Sequence, residues 1–429
     1  MPLQVILAPV GSAGDVLPFV AIALRLRERG NRVLMGASGR YRALLDAERI
    51  ELVETLDAKA EAAAFDHPNF WRPTRGLRRF TERMVLPSVR PQLAAIEARC
   101  ERGNTVVVGS SFAFGARIAH ERLGVPLVTV HLAPAAMRSL EDTPAVANIP
   151  AFPRLPRPIK RLLYWYFDRF VFDPVMCPGL NEMRRGFGLP PVQRPLQQWM
   201  HSPTRIIGLF PPWFAAPAPD WPPQVRLTGF LAYDGPRSRL ASAGLDRFLA
   251  AGDAPVVFTA GTAMSHAEGF FRAAVDACVR LGVRGILMSS AEAQIPAAMP
   301  ATVRAFAYAP FRELLPRARA LVHHGGIGTA ARALEAGVPQ VVVPMAYDQP
   351  DNAARLERLG VADTLSRRRL DGASLAATLR KLLARRNLAA KLSAAAQRFD
   401  ADAALDETCR LIEEAAQVGT AASGKMTPQ

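Results

Sequence analysis

Cysteine is scarce in this 429-residue sequence: Cys100, Cys177, Cys278 and Cys409 are the only four, far apart and in unrelated contexts. That spacing supplies neither a disulfide frame nor a zinc site, and it fits a reduced compartment. No apolar run approaches the roughly 20 residues that a membrane-spanning helix needs. Residues 1–10 are too short for a signal peptide and lead straight into a motif, so the N-terminus reads as mature and the expected location is cytoplasmic. No internal repeat is visible beyond a doubling of α/β halves. Acidic residues are outnumbered, 38 against 53 Lys and Arg, for a formal net charge of +15. Such a surplus attracts nucleic acid, anionic lipid or an anionic small molecule. No helix-turn-helix, zinc or RNA-binding motif accompanies it, which removes nucleic acid from the expected partners. The arginines are spread, with modest clusters at 72–83, 154–169 and 367–369, and most read as solvated faces. A minority are left to attract an acidic ligand or the inner face of a membrane.

What is abundant suits a globular protein. Hydrophobic residues make up 50% and charged residues 21%, and the length exceeds one ordinary core and matches two α/β domains. The densest signal lies at 321–353, LVHHGGIGTAARALEAGVPQVVVPMAYDQPDNA. An apolar run meets His323 and His324, then a turn of Gly325, Gly326, Ile327, Gly328 and Thr329. A helical pattern covers 330–336, Gly337-Val338-Pro339 stops it, and the β-branched run Val341-Val342-Val343 follows. Asp348 and Gln349 lie in the loop beyond. Strand, glycine turn and helix start are the means by which an α/β domain holds a diphosphate. The glycines let the backbone approach the oxygens, while free N–H groups and the helix dipole favour negative charge. A histidine on that turn adds a hydrogen bond or a positive charge. This half therefore reads as a site for a nucleotide-linked ligand.

The chain opens with an apolar strand at 3–8, a loop from Val10 to Pro18, a helix at 19–29 and a strand at 32–36, a Rossmann-like beginning. Asp15 in that loop is either a helix cap or an acid-base group. Residues 60–91 read as long loop and irregular helix, whose Phe65, Phe70, Trp71, Phe80 and Met84 cover the sheet or line a pocket. A strand at 105–109, a helix at 114–123 and a strand at 127–131 continue the alternation, with His131 either structural or facing a cleft. A helix from Ile159 carries Leu162, Leu163, Trp165, Tyr166, Phe167 and Phe170. It is apolar on more than one face, so it packs deeply or lines a hydrophobic cavity. A segment with Trp199 precedes a strand at 205–210, and the proline-rich stretch 211–223 leads into a linker. Beyond it come a helix at 245–251, a strand at 255–259, the loop Ala260-Gly261-Thr262-Ala263, a helix at 269–281, strands at 285–288 and 303–306, and Tyr308-Ala309-Pro310. Helices at 375–386 and 387–417 close the chain, and the small, polar residues 418–429 read as a disordered tail. The expected domains are 1–215 and 245–390 with a linker at 216–244, and a closing segment, 391–429, whose helix returns to the first domain.

Together these motifs resemble the inverting nucleotide-sugar glycosyltransferases that include plant secondary-metabolite, sterol and glycopeptide-antibiotic enzymes. In that family a histidine opens a glycine-rich loop, Gly-Val-Pro follows one helix later, and Asp-Gln follows the next strand. Counting back from Gly337-Val338-Pro339 places the family histidine at His324; counting from the glycines alone places it at His323. The sterol and glycopeptide enzymes also carry Gly-Ser-x-Gly-Asp-Val in their first loop, matched here by Gly11 to Val16, with Asp15 at the catalytic position. The resemblance implies an α/β, GT-B fold, two Rossmann-like domains facing across a cleft. It implies Asp15 as catalytic base and a donor site of Gly11, Ser12, Thr262, Tyr308, Ala309, His323, His324, Gly326, Gly328, Thr329, Asp348 and Gln349, with no metal or other cofactor. Over nearly the full length the likeness is strongest to the rhamnosyltransferases of bacterial rhamnolipid synthesis, carried by Gly11 to Val16, Val108-Gly109-Ser110, Gly115 to Glu121, Gln198 to Pro203 and Gly325 to Gly328. That implies transfer of L-rhamnose from dTDP-L-rhamnose to a hydroxyalkanoyl-hydroxyalkanoate lipid, in an acceptor pocket of Phe70, Trp71, Trp165, Phe167 and Trp199. It leaves open a peripheral contact with the inner membrane surface and an association with the enzyme that makes the acceptor. Two alternatives remain: a glucosyltransferase of the same fold with a sterol, polyketide or carotenoid acceptor, and a non-catalytic partner of that fold.

Overall fold

The computed structural model describes residues 2–71, 73–146, 149, 151–235 and 243–423. Among them, seven strands form a first sheet: β1 (Gln4–Ala8), β2 (Arg32–Ser38), β3 (Glu51–Leu56), β4 (Thr105–Ser110), β5 (Leu127–His131), β6 (Arg205–Gly208) and β7 (Val225–Leu227), in the order β3-β2-β1-β4-β5-β6-β7. Six form a second: β8 (Val256–Thr259), β9 (Gly285–Met288), β10 (Val303–Phe306), β11 (Ala320–His323), β12 (Gln340–Val342) and β13 (Ala362–Thr364), in the order β10-β9-β8-β11-β12-β13. Neighbours pair in parallel throughout. The central strands are buried from end to end, as expected where helices cover both faces of a parallel sheet. In each sheet the strand order reverses once, between β1 and β4 and between β8 and β11. The crevice outside the carboxyl ends of strands at such a reversal is where open α/β sheets take ligands.

Contacts divide the chain into two Rossmann-like units. The first is 1–144, 149–233 and 401–429; the second is 145–148 and 234–400. The first unit thus runs past the expected boundary at 215, because β7 adds an edge strand to its sheet. Residues 236–242 of the expected linker and 424–429 of the expected tail lie outside the described residues. The closing segment is two helices rather than one, Leu388–Ala396 in the second unit and Ala401–Ser423 in the first. The last helix packs Cys409, Ile412 and Ala415 into one core with Phe19, Ile22 and Leu26. Asp402 and Asp406 pair with Arg25, and Glu413 with Arg29. No described helix is long and apolar enough to cross a membrane.

Two more expectations change. The first helix is Ala13–Glu28, six residues earlier than the proline suggested, and Pro18 lies inside it. Near a helix start a proline removes one N–H and leaves the Gly14 carbonyl without its usual partner, a local loss the rest of the helix outweighs. Residues 60–91 are largely helical, as Ala58–Phe65, Pro73–Phe80, Thr81–Val85 and Leu86–Arg99. Pro73 and Pro87 open their helices rather than breaking them.

Candidate active site

The turn after β1 is built around a contact between Gly11 and Asp15. Gly11 has φ +140, and a Cβ there would fall 2.2 Å from Asp15 Oδ2. With that space free, Ser12 becomes the N-cap of Ala13–Glu28 and Asp15 its third residue. Asp15 Oδ2 accepts a hydrogen bond from the Ser12 backbone N–H at 2.7 Å and one from the Ser12 hydroxyl at 3.0 Å. A carboxylate so placed satisfies an otherwise unpaired helix donor and faces the positive end of the dipole. Asp15 is only half-buried, at the carboxyl end of β1 beside the strand-order reversal. Its geometry therefore serves the helix start and also leaves it where a ligand hydroxyl would arrive. The Val10 N–H donates to Ser110 Oγ at 2.9 Å, fixing this turn to the end of β4.

From the same strand ends a polar line runs inward. Ser111 Oγ lies 2.8 Å from His131 Nδ1, and His131 Nε2 lies 2.9 Å from His201 Nδ1. Burial holds His131 well below the ordinary imidazole range, with His201 adding to the effect. Burial also pushes His201 down to about 4, aided by Arg138. Both rings are thus neutral near pH 7. His201 borders a cavity of about 1400 Å³ in the first unit, lined also by Arg138, Arg161, Leu162, Trp165, Arg194 and Trp199. Its carboxylates are engaged by its own wall: Asp168 binds Arg138 at 2.6 Å, and Asp220 accepts from Ser139 Oγ and the Leu140 N–H, both at 2.7 Å. Arg161 and Arg194 make no ion pair among the described residues.

Of the five expected acceptor residues, Trp165 and Trp199 line this cavity and three do not. Trp199 is fixed by a bond from Nε1 to Glu121 at 2.8 Å, with the Arg117 and Arg184 guanidiniums over its ring. Phe70 is buried in an edge-to-face series with Phe65, Trp71 and Phe80, and Phe167 turns inward onto Phe152. Aromatic packing, not a pocket, accounts for Phe70, Trp71 and Phe167. Nor does the Gly11–Asp15 turn contribute to the cavity wall.

In the second unit the loops after β8 and β11 meet at His324. Added Cβ atoms at Gly261 and Gly326 would lie 2.7 Å from His324 Cε1 and 2.4 Å from His324 Nε2, so the two glycines leave the room in which the ring sits. His324 Nδ1 is buried and finds no hydrogen-bond partner among the described residues. Burial pushes its pKa down to about 4. His323 differs completely. Its ring is fully buried, Nδ1 accepts from the Gly325 N–H at 3.2 Å, and Nε2 lies 3.0 Å from Gln340 Oε1 on β12. With Nδ1 accepting, the proton is on Nε2 and is donated to Gln340. Both nitrogens are occupied within the fold, which removes His323 from the donor site. Beyond His324, the helix Ile327–Glu335 makes its first backbone bond from the Ala330 N–H to Gly326. The N–H groups of Ile327, Gly328 and Thr329 are therefore the open donors of a helix start.

The Asp-Gln segment joins this turn through Asn352, which the sequence reading missed. Asn352 Nδ2 donates to the Gly325 carbonyl at 2.9 Å and to Asp348 Oδ2 at 2.7 Å. Its position four residues after Asp348 is the helical spacing that brings two side chains together, and that signal could have found it. Burial pushes the Asp348 carboxyl up to about 6, against the opposing Asn352 bond. Gln349 Oε1 accepts from the Met345 and Ala346 N–H groups at 2.7 and 3.0 Å, which ties the side chain to its own loop. Tyr347, between these loops, has φ +58, a strained conformation for a side chain of its kind. Thr262 is exposed in the loop after β8. The Tyr308 hydroxyl donates to the Asp234 carbonyl, whose carboxylate pairs with Arg332 on the same helix as Gly328 and Thr329. Ala309 is buried in the second core.

Residues 5–140 match the family model of the glycosyltransferase family 28 N-terminal domain, and residues 274–414 that of the erythromycin biosynthesis protein CIII-like C-terminal domain. The O-mycaminosyltylonolide 6-deoxyallosyltransferase of Streptomyces fradiae is 30% identical over 448 residues, covering 98% of this chain and 99% of its own. The vancomycin aglycone glucosyltransferase of Amycolatopsis orientalis is 30% identical over 370 residues, covering 84% and 85%. Among solved structures, the spinosyn rhamnosyltransferase SpnG complexed with thymidine diphosphate matches with a TM-score of 0.64 at 19% identity, across 95% of this chain and 100% of its own.

Proposed function

Since this chain belongs to the GT-B glycosyltransferases, enzymes that take a sugar from a nucleotide donor, we propose that it moves L-rhamnose from dTDP-L-rhamnose to a 3-(3-hydroxyalkanoyloxy)alkanoate, with inversion and without a metal. The observation that carries the acceptor half is the first unit's cavity. Its volume of about 1400 Å³, its Leu162, Trp165 and Trp199 walls, and its Arg161, which makes no ion pair among the described residues, suit an amphiphile with alkyl chains and one carboxylate. The donor half is supported by the glycine turn beside His324, and by a structural neighbour that is a rhamnosyltransferase with thymidine diphosphate bound.

In the reaction the acceptor hydroxyl oxygen attacks the anomeric carbon as the carbon–oxygen bond to the diphosphate breaks. Asp15 takes the hydroxyl proton. The charge that develops on the departing diphosphate meets His324 and the N–H groups of Ile327, Gly328 and Thr329, donors already oriented before the reaction. Asp348 and the Gln349 amide hold sugar hydroxyls, with Asn352 keeping Asp348 against the turn. The full-length likeness to an enzyme acting on O-mycaminosyltylonolide favours a second reading, a different hexose on a bulkier polyketide acceptor. Purified protein is assayed with dTDP-L-rhamnose and UDP-glucose against hydroxyalkanoate dimers, a sterol and a macrolide aglycone. The first reading expects rhamnosylated dimer as the dominant product. A macrolide or sterol glycoside in its place would show the acceptor assignment to be wrong.

A further inference from the structure

The helix Arg157–Phe167 and the turn Asp168–Phe172 that continues it are built inside out. Facing the protein are polar groups. Lys160 is buried and donates to the Leu140 carbonyl at 3.0 Å, Tyr164 donates to the Ser139 carbonyl at 3.2 Å, and Asp168 is buried against Arg138. Facing outward are the large apolar side chains: Ile159 is 45% exposed, Leu162 60%, Trp165 45%, Tyr166 49% and Phe170 55%. Ile159, Leu162, Tyr166 and Phe170 recur three and four residues apart, the spacing of a single helical stripe. Trp165 and Tyr166 both meet Phe170 edge-on or tilted, at 5.8 and 5.1 Å between ring centroids, so the stripe is one surface. Of the two expectations for this helix, deep packing does not hold for that face, while Leu162 and Trp165 do line the cavity.

An ordinary surface helix turns its apolar stripe to the core, and a contiguous outward one marks a contact surface. Its charge indicates what the contact is. Arg157, Arg161 and Arg169 lie along the same stretch, and Arg161 and Arg169 make no ion pair among the described residues. Of the acids nearby, Asp168 is buried against Arg138, and Glu141 pairs with Arg157 at the surface. Arg169 instead stacks on the Phe170 ring. Aromatic and aliphatic side chains with uncompensated arginines among them match the boundary of an anionic bilayer, where rings lie at headgroup depth and guanidiniums bind phosphate.

We propose that the face formed by Ile159, Leu162, Tyr166 and Phe170, with Arg161 and Arg169, docks the protein on an anionic phospholipid surface. Arg157, Arg161, Leu162 and Trp165 belong both to this stretch and to the cavity wall, so a docked protein presents the cavity to lipid-borne molecules. Docking itself does not depend on which acceptor the cavity takes.

The test is flotation of the full chain with vesicles of phosphatidylcholine mixed with phosphatidylglycerol, and with vesicles of phosphatidylcholine alone. Wild type floats with the mixed vesicles, less with the neutral ones, and less again as salt is raised. The variant Ile159→Ser/Tyr166→Ser/Phe170→Ser, outside the cavity and the candidate catalytic groups, loses about a thousandfold in partitioning, since each of the three half-exposed side chains forfeits roughly a tenfold gain on full burial. Its unfolding temperature and thymidine diphosphate affinity stay those of wild type, and Arg169→Glu weakens flotation on mixed vesicles only. Three results overturn the proposal: no flotation with either vesicle, flotation that survives the triple substitution, or a solution dimer that the triple substitution dissolves, which would make the face a contact between two copies.

Discussion

Asp15→Asn separates the two tasks the first turn gives this residue. The asparagine carbonyl can accept the same hydrogen bonds that Asp15 Oδ2 takes from the Ser12 N–H and hydroxyl at 2.7 and 3.0 Å. The helix start survives, and what is lost there is one charge near the dipole's positive end, about 0.3–1 kcal/mol. For a body of this size that lowers the unfolding temperature by a few degrees at most, at roughly 2–4 °C per kcal/mol. Asp15→Ala removes the bonds as well, and a lost cap costs about 1 kcal/mol. Activity follows a different scale. Neither variant can take the acceptor proton, so turnover falls about a hundredfold or more in both, equivalent to at least about 2.7 kcal/mol of barrier. The readouts are product formation under saturating donor, unfolding temperature, and calorimetry with thymidine diphosphate, which should bind both variants normally. Near-normal turnover in Asp15→Asn, with a loss in Asp15→Ala that follows its unfolding temperature, would refute the catalytic role and leave Asp15 a helix cap.

The two sheets were legible because their chemistry is local. The apolar runs of β1, β4 and β11 are buried on both faces, so no polar alternation interrupts them. The misplaced elements depend on context. Pro18 read as the end of a loop, yet it is tolerated inside a helix, and residues 60–91 read as loop and irregular helix, yet they are largely regular helix. β7 is too short and polar to recognise until its pairing with β6 is known. At the site, the glycine turn could be read from its own residues, but the choice between His323 and His324 could not. That choice is made by Gln340, 17 residues away on the neighbouring strand, and by the space at Gly261, which lies on another loop. Likewise Ser111, His131 and His201 come from three segments, and only the sheet brings them into line. Aromatic residues were the poorest guide. Phe70 and Phe170 look alike in a sequence, yet one is packed inside and the other faces solvent.

The histidines should respond oppositely. His324→Ala should weaken thymidine diphosphate binding about tenfold or more, the scale of one strong hydrogen bond, while His323→Ala should leave Gln340 unpaired and cost about 1–3 kcal/mol of stability; calorimetry and unfolding on both variants check this, and the reverse ranking contradicts it. Gly326→Ala should displace the His324 ring, since the new Cβ would fall 2.4 Å from Nε2, and nucleotide affinity should drop as in His324→Ala with the fold intact by circular dichroism. Acceptor affinity should rise with alkyl length by roughly 0.8 kcal/mol per methylene until the cavity is full; an apparent KM independent of length counts against that cavity as the acceptor site. The remaining prediction concerns Asp348, whose pKa is raised from 3.8 to about 6 by burial. Between those values the folded protein holds a proton that the unfolded chain has released, so this group makes stability fall as pH rises through the window and adds no further slope above it. Discounted for partial exposure, the effect is about 2 kcal/mol. His324 works the other way: with its pKa down at about 4, the unfolded chain binds more protons than the folded one from there to about 6.5, and its contribution rises with pH. The wild-type slope is thus a difference of opposing contributions, and the informative quantity is wild type against Asp348→Asn. In denaturant unfolding without ligand, the variant should gain stability relative to wild type between about pH 4 and pH 6 and stay level above. A constant gap across that range would mean that Asp348 is ionised in the empty site, and that the turn carries its charge before any sugar arrives.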